Sequence, residues 1–311
     1  MATTSAAPTA SSGSRPGAPS AGTRKRTAFL PPAGWGEIAT FQDRNLFAFW
    51  TVAGISSVYF RLPNHLLKMN YFKARYLRFW KSVAKRSRRF RLYRHYYHNR
   101  MLLDMSEPTS REIWAGYEYE FDEYDLVIAS LKETPADVFF DIGANWGGYS
   151  LLAARAGTPR IEAFEPNRKV FGILAANITL NGFHNQIRSW NIAASNQDRN
   201  GVLSIDPRAT DVSSLSPERM SGKWHYCGNQ NCLIRRIDTF MPVTGQSVFI
   251  KMDVEGHENE ALNGMKETIK NNRVRLLVEV LGNPDFEDIA RTQHGLVVRQ
   301  RFGSNLFLTN H

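Results

Sequence analysis

DVFFDIGANWGGYSLLAA, residues 137–154, begins with an apolar run, breaks at glycines and resumes with helix-forming residues. The run 138–142 suits a strand buried on both faces and is too short for a core helix. Gly143 allows a sharp turn with close approach of a ligand, and Gly147 lets the helix of 149–155 pack near the strand. A strand, a glycine turn and a helix in that order mark the place where an open α/β sheet holds its ligand.

The rhythm continues outward. Short apolar runs at 160–164, 187–192, 248–252 and 274–280 read as further buried parallel strands, and 169–180 and 258–269 as helices. A helix at 122–131 and a turn at Thr134-Pro135 precede the first strand. The runs 296–301 and 305–309, separated by Phe302-Gly303-Ser304, form a C-terminal hairpin that closes the sheet. Strand, helix, strand in series predicts a doubly wound α/β domain.

Glu165 stands 24 residues after Asp141, at the tip of the second strand, where an acid accepts both hydroxyls of a ribose. The turn lacks the full Gly-x-Gly-x-x-Gly of dinucleotide enzymes, and no Gly-Lys-Ser/Thr follows it, which disfavours a pyrophosphate or triphosphate. A nucleoside without phosphates fits better.

DVFFDIGANWGGYSLLAA, IEAFEPNRKVFGILAANITLNGF, NIAASNQDRNG, IKMDVEGHENEALNGM and RLLVEV occur in the order and spacing of the FkbM-like methyltransferases, which the chain resembles over roughly residues 122–282. The Asp-Ile-Gly-Ala-Asn and Asp-Val-Glu-Gly-His-Glu blocks are the specific ones. The resemblance implies a Rossmann-like class I methyltransferase sheet of about seven strands, S-adenosyl-L-methionine as methyl donor, and O-methylation of a sugar or natural-product hydroxyl. It implies that Asp141, Gly143, Ala144, Asn145 and Gly147 line the methionine end of the cofactor. Glu165 would hold the ribose, Ala193 would lie near the adenine, and Asp253 would stand beside the transferred methyl.

Methylating a hydroxyl requires alignment of oxygen, carbon and sulfur and removal of a proton. Asp253, Glu255, His257 and Glu258 crowd one strand-to-helix junction, with Asp253, Glu255 and His257 as candidate catalytic groups. Glu258 is better read as a helix cap, since acids favour a helical N-terminus. Glu279, at the fifth strand's tip, also points to the site. It and Asp253 could together hold Mg²⁺, which is possible but not indicated, so Asp253 reads either as base or as metal ligand. Residues 201–240 are long for a connection and are expected to reach over the pocket, with Ser214, Trp224 and His225 meeting the acceptor. Cys227 and Cys232 fit a reducing compartment, and with His225 they make at most half a zinc site.

Three domains are expected: a disordered tail at 1–34, an arm at 35–105 and the methyltransferase domain at 106–311. The tail consists of Ala, Ser, Thr, Pro and Gly with a few basic residues, which also suits an organelle transit peptide. The arm begins with fifteen apolar residues at 46–60, against the roughly twenty needed to span a bilayer. From Met69, the positions Phe72, Tyr76, Phe79, Trp80, Val83 and Phe90 fall on one helical face, with Arg75, Arg78, Lys81, Lys85 and Arg89 opposite. Residues 61–100 hold 13 Lys or Arg and no Asp or Glu, whereas 101–311 hold 21 basic and 27 acidic side chains, a net of −6. The arm therefore supplies the basicity behind the formal charge of +10.

The expected activity is O-methylation of a sugar, glycolipid or other small-molecule hydroxyl in the cytoplasm, with the arm holding the enzyme peripherally to an anionic membrane. One alternative acceptor is an RNA 2′-hydroxyl, with Phe72, Tyr76, Trp80 and Tyr93 stacking bases. Known RNA enzymes of this kind use two lysines with an Asp and a Glu, and Lys251 lies inside the predicted strand, which counts against RNA. A non-catalytic interaction protein that keeps the fold is a third reading, opposed by the intact Asp141, Glu165 and Asp253.

Overall fold

A computed structural model describes residues 90–94, 99–114, 120–220, 222 and 224–311. The tail, the apolar stretch and nearly all of the expected amphipathic helix lie outside them. In chain order the elements are β1 (Phe90–Arg94), β2 (Arg100–Asp104), α1 (Pro108–Trp114), α2 (Phe121–Glu133), β3 (Val138–Ile142), α3 (Gly148–Arg155), β4 (Ile161–Phe164), α4 (Arg168–Asn181), β5 (Ile187–Trp190) and β6 (Ile192–Ala194). Then come β7 (Arg199–Asp206), β8 (Ala209–Ser214), β9 (Gly228–Arg235), the single turn α5 (Ile237–Phe240), β10 (Ser247–Met252), α6 (Glu258–Asn263), α7 (Lys266–Lys270), β11 (Arg273–Glu279), α8 (Phe286–His294), β12 (Val297–Phe302) and β13 (Asn305–Thr309).

Seven strands form the main sheet in the order β12-β13-β11-β10-β3-β4-β5. The pairs from β11 to β5 are parallel, and β13 runs antiparallel between β11 and β12. This is the class I methyltransferase arrangement, with the expected C-terminal hairpin on one edge. The order reverses at β3, so the crevice beyond β3 and β10 is where a ligand belongs.

Every residue of β3 is buried, because helices cover both faces of the sheet. Alternation divides the core in two. Phe139, Phe249 and Leu277 pack with Tyr124, Leu151 and Leu174 on the α2, α3 and α4 side, while Phe140, Ile250 and Leu276 pack with Leu262, Ile269 and Phe286 on the α6, α7 and α8 side.

Three expectations need correction. The run 187–192 is not one strand: it divides at Asn191, whose Nδ2 donates to the carbonyls of Glu165 and Pro166, and β6 leaves to join a second sheet. That sheet, ordered β6-β9-β7-β8, is built from the long connection. The helix expected at 258–269 is two pieces, α6 and α7. Phe90, placed on the amphipathic helix, instead starts β1, which pairs with β2.

The boundary at 105 also moves. Met101 and Leu103 of β2 are in the core, Asn177 accepts from Leu102 N at 2.6 Å, and Asn181 bonds Arg100 through both its oxygen and its nitrogen. The compact domain thus includes β2. Among the described residues, no helix is long and apolar enough to cross a membrane.

Candidate active site

The loop after β3 is held by its neighbour: the amides of Gly143 and Ala144 both donate to Phe164 O, at 2.9 and 2.8 Å. Gly143 adopts φ +77°, and a Cβ there would lie 1.7 Å from Asp253 O. The ends of β3 and β10 therefore meet across a hydrogen atom, which only glycine at this position allows. Gly147 also has positive φ, but its missing Cβ faces Leu174 in the core.

Glu165 sits at the tip of β4, 6% exposed. Its Oε2 accepts from Asn145 N at 2.9 Å and its Oε1 from Asn167 N at 2.8 Å. Burial pushes its carboxyl up to about 7, against the pull of these two amides. Because a carboxylate has about four lone-pair sites, each oxygen retains one for another donor. Asn167 caps α4 with Oδ1 and bonds Thr210 O and Ser213 Oγ with Nδ2, tying the second sheet to the main one.

These elements border an open cleft whose empty space, with the solvent at its mouth, is about 570 Å³. Gly143, Asn145, Glu165, Ala193 and Asp253 line it, as expected from the sequence. Ile192, Leu203 and Leu215 give it an apolar end, and Asp211 and Ser213 reach it from β8. Asp211 was not anticipated. Burial pushes its carboxyl up to about 6, with the Thr109 hydroxyl opposing.

Several expected site residues lie elsewhere. Asp141, Ala144 and Gly147 do not line the cleft. Asp141 is buried with its carboxylate accepting from Ser150 Oγ, because alternation along β3 turns it to the same side as Phe139. Ser214 is also buried, its Oγ donating to Glu255 O and accepting from Ser216 N. Trp224 and His225 are outside the lining too; His225 is exposed, with its amide on Asp206. The long connection does reach the cleft, but through Leu203 of β7, β8 and Leu215. Cys227 is exposed and Cys232 buried, and neither is bonded to the other.

His257 lines the cleft but has both ring nitrogens engaged. Nε2 meets Ser195 Oγ at 2.9 Å and Nδ1 meets Ser216 Oγ at 2.8 Å, with Glu260 and Arg219 behind. Burial lowers its pKa. These contacts make it a tether between the second sheet and the β10–α6 loop, in place of the expected base. Glu258, expected as a helix cap, instead holds the loop before its helix, accepting from Gly256 N at 2.8 Å and from Asn283 Nδ2. Glu255 lines the cleft at φ +51°, a left-handed backbone shared by Asn145 and Glu120.

Asp253 connects the cleft to a charged cluster. Lys251, 2% exposed, lies with Nζ 3.8 Å from Asp253 Oδ2 and 5.1 Å from the centre of the Tyr149 ring. One carboxylate oxygen each from Glu120, Asp253 and Glu279 lies within 4.8 Å of the other two. The cation among these acids is the Lys251 ammonium. The sequence missed Glu120 and the orientation of Lys251, yet period-two alternation places Lys251 on the face of Phe249, beside Asp141 in register.

The methyltransferase FkbM domain profile matches residues 141–303, more than half of the chain. The chain belongs to the FkbM methyltransferase family. It is an S-adenosylmethionine-dependent methyltransferase. No curated protein matches the sequence. The chain is similar to a methyltransferase from Geobacter sulfurreducens (12% identity, TM-score 0.38, 61% of this chain and 78% of that one). It is also similar to an rRNA methylase from Streptococcus thermophilus (9%, 0.37, 59% and 92%). A third such structure is the tRNA (uracil-54, C5)-methyltransferase of Pyrococcus abyssi, in complex with S-adenosyl-L-homocysteine (9%, 0.40, 72% and 44%).

The enzyme's own residues fit this cofactor. Gly143 lines the cleft on a backbone that only glycine can adopt against Asp253 O, and Asn145 Oδ1 is buried without a hydrogen-bond partner.

Proposed function

We propose that the cleft seats S-adenosylmethionine with Glu165 on the ribose hydroxyls, Ala193, Ile192 and Leu203 beside the adenine, and Gly143 and Asn145 at the methionine end. The packing of Ala193 with Leu203 and Leu215, apart from the polar Glu165 and Asn145, supports this order. Each hydrogen bond to a charged group is worth roughly 1.5–3 kcal/mol. Glu165→Ala, which loses two of them, is expected to weaken cofactor binding at least about 100-fold in calorimetry. It should also lower the melting temperature, since the amides of Asn145 and Asn167 lose their acceptor. Unchanged affinity would remove Glu165 from the site.

The reaction we assign is O-methylation of a sugar, glycolipid or related small-molecule hydroxyl. The cofactor supplies a methyl group on a positively charged sulfur. Asp253 takes the hydroxyl proton, and the second sheet walls the cleft opposite. The carrying observation is that Asp253 both lines the cleft and joins Glu120 and Glu279, so the strand ends offer carboxylates for proton removal. The basic stretch at 61–100 suits delivery to acceptors in an anionic membrane.

The test is transfer of a deuterated methyl group from the cofactor into separate glycolipid, glycan and RNA fractions, followed by mass spectrometry. The expected result is a methyl ether in glycolipid or glycan. Label confined to RNA, or found on nitrogen or carbon, overturns this reading.

A further inference from the structure

The cluster behind Asp253 carries more charge than base catalysis by Asp253 needs. One oxygen each from three carboxylates lies within 4.8 Å of the other two, Asp253 lies 3.8 Å from the Lys251 ammonium, and Glu120, Glu279 and Asp141 add to the field that favours that ammonium. Full ionisation of the three would leave two negative charges in a half-buried place, and like charges this close do not all ionise near neutral pH. The structure holds a strained backbone to bring them together: Glu120 adopts φ +53° where it precedes α2. Such a conformation costs free energy and is retained only where its surroundings enforce it.

We propose that Glu120, Glu279 and Lys251 act on methyl transfer through Asp253, as a proton store that empties when the cationic cofactor enters the cleft. This rests on the reading of Asp253 as the base. In the cofactor-free enzyme the cluster keeps one shared proton. A positive charge brought into the cleft favours the ionised carboxylates, so the proton leaves to solvent. The ionised cluster then receives the proton of the acceptor hydroxyl through Asp253. The oxygen's electron pair forms the new O–C bond, and the C–S pair returns to sulfur as a neutral thioether. With the charge gone, the cluster retains its proton and the product leaves without an electrostatic penalty.

The charges support this assignment. Among the described residues, Glu120 faces Lys251 of β10, Asp253 just after it, Glu279 of β11 and Tyr149 of α3; Tyr149 in turn faces Glu123 and Tyr124 of α2. Burial pushes the Glu120 carboxyl up to about 7; Lys251 opposes, and Asp253 and Glu279 add to the rise. Burial would lower the Lys251 ammonium, but Asp253, Glu120, Glu279 and Asp141 together hold it above its ordinary value. A nearby added charge shifts the proton occupancy most visibly in a group that titrates near the working pH, and the coupling between ligand and proton is reciprocal.

The test compares S-adenosylmethionine, which carries the sulfonium charge, with S-adenosylhomocysteine, which does not. Calorimetry in buffers of different ionisation enthalpy counts the protons released on binding each, from pH 6 to pH 8. The methylated cofactor is expected to release a proton near pH 7 that the demethylated product does not release. The affinity ratio between them should therefore rise with pH, by at most about tenfold per pH unit. Glu165 contributes equally to both ligands, since they share the ribose.

Glu120→Gln and, separately, Glu279→Gln should reduce this difference while leaving product affinity unchanged, which also reports an intact fold. Equal proton release with both ligands, no pH step in the ratio, or a step of wild-type size in both variants overturns the proposal. Methyl label found on nitrogen or carbon would instead remove the hydroxyl reading beneath it, whatever the proton count.

Discussion

Gly143→Ala is expected to weaken binding of S-adenosylmethionine by roughly 30-fold to several thousandfold. The new Cβ would lie 1.7 Å from Asp253 O, and that atom is backbone, so no side-chain rotation relieves the overlap. The ends of β3 and β10 must separate, which strains the bond from Asp253 N to Ile142 O and moves the base together with the cradle. Overpacking of this kind costs about 1–3 kcal/mol, and a left-handed backbone costs an L-residue a further 1–2 kcal/mol or so. The matching control is Gly182→Ala at the end of α4, where φ is +72° but nothing lies within 4 Å. It carries the backbone cost alone and should lower the melting temperature slightly with cofactor affinity intact. Equal effects of the two substitutions on affinity would mean that the β3–β10 contact has no part in seating the ligand.

The contrast between these glycines shows what a sequence reveals. Gly143 was legible because a short apolar run, a glycine and a helix pattern follow one another locally, and local order is what periodicity records. The parallel strands were legible for the same reason, since burial on both faces makes each one a continuous apolar run. The second sheet was not. In β9 exposed residues alternate with less exposed ones, Asn229 and Asn231 among them, and β7 opens on the exposed Arg199 and Asn200, so the result resembles a polar loop. Asp211 and Leu215 could not be assigned to the cleft without that sheet. The expectation for Trp224 and His225 failed because an aromatic or imidazole side chain in a long connection says nothing about direction. Ser214 failed because its hydroxyl is needed by the Glu255 carbonyl.

Lys251 is a different kind of omission. Its position inside a strand counts against an RNA acceptor in the sequence and gives it no other role. Yet Lys251, Asp253 and Glu279 share one parity with Phe249 and Leu277, so the pattern already places them on one face. Glu120 had no such signal, since it precedes a helix by one residue and joins the cluster only through its backbone conformation.

Asp253→Asn is expected to cut methyl transfer about 10²–10⁴-fold while cofactor binding and fold persist, because general-base contributions are typically of that size. Asn keeps the shape of Asp, and the amide bond to Ile142 O is unaffected by the side chain. The loss of one carboxylate beside Lys251 leaves Glu120 and Glu279 as its counter-charges, so the buried ammonium stays compensated. The deuterated-methyl assay in the responsive acceptor fraction measures turnover, and calorimetry measures affinity separately. His257 is a poor substitute as base, since Ser195 and Ser216 occupy both its nitrogens. Glu255 is the remaining carboxylate of the β10–α6 loop that lines the cleft, and its left-handed backbone is enforced by the Ser214 bond to its carbonyl. Glu255→Gln therefore completes the comparison. A fall of less than about tenfold in Asp253→Asn, together with a larger one in Glu255→Gln, would transfer the proton to Glu255 and leave Asp253 as the partner of Lys251.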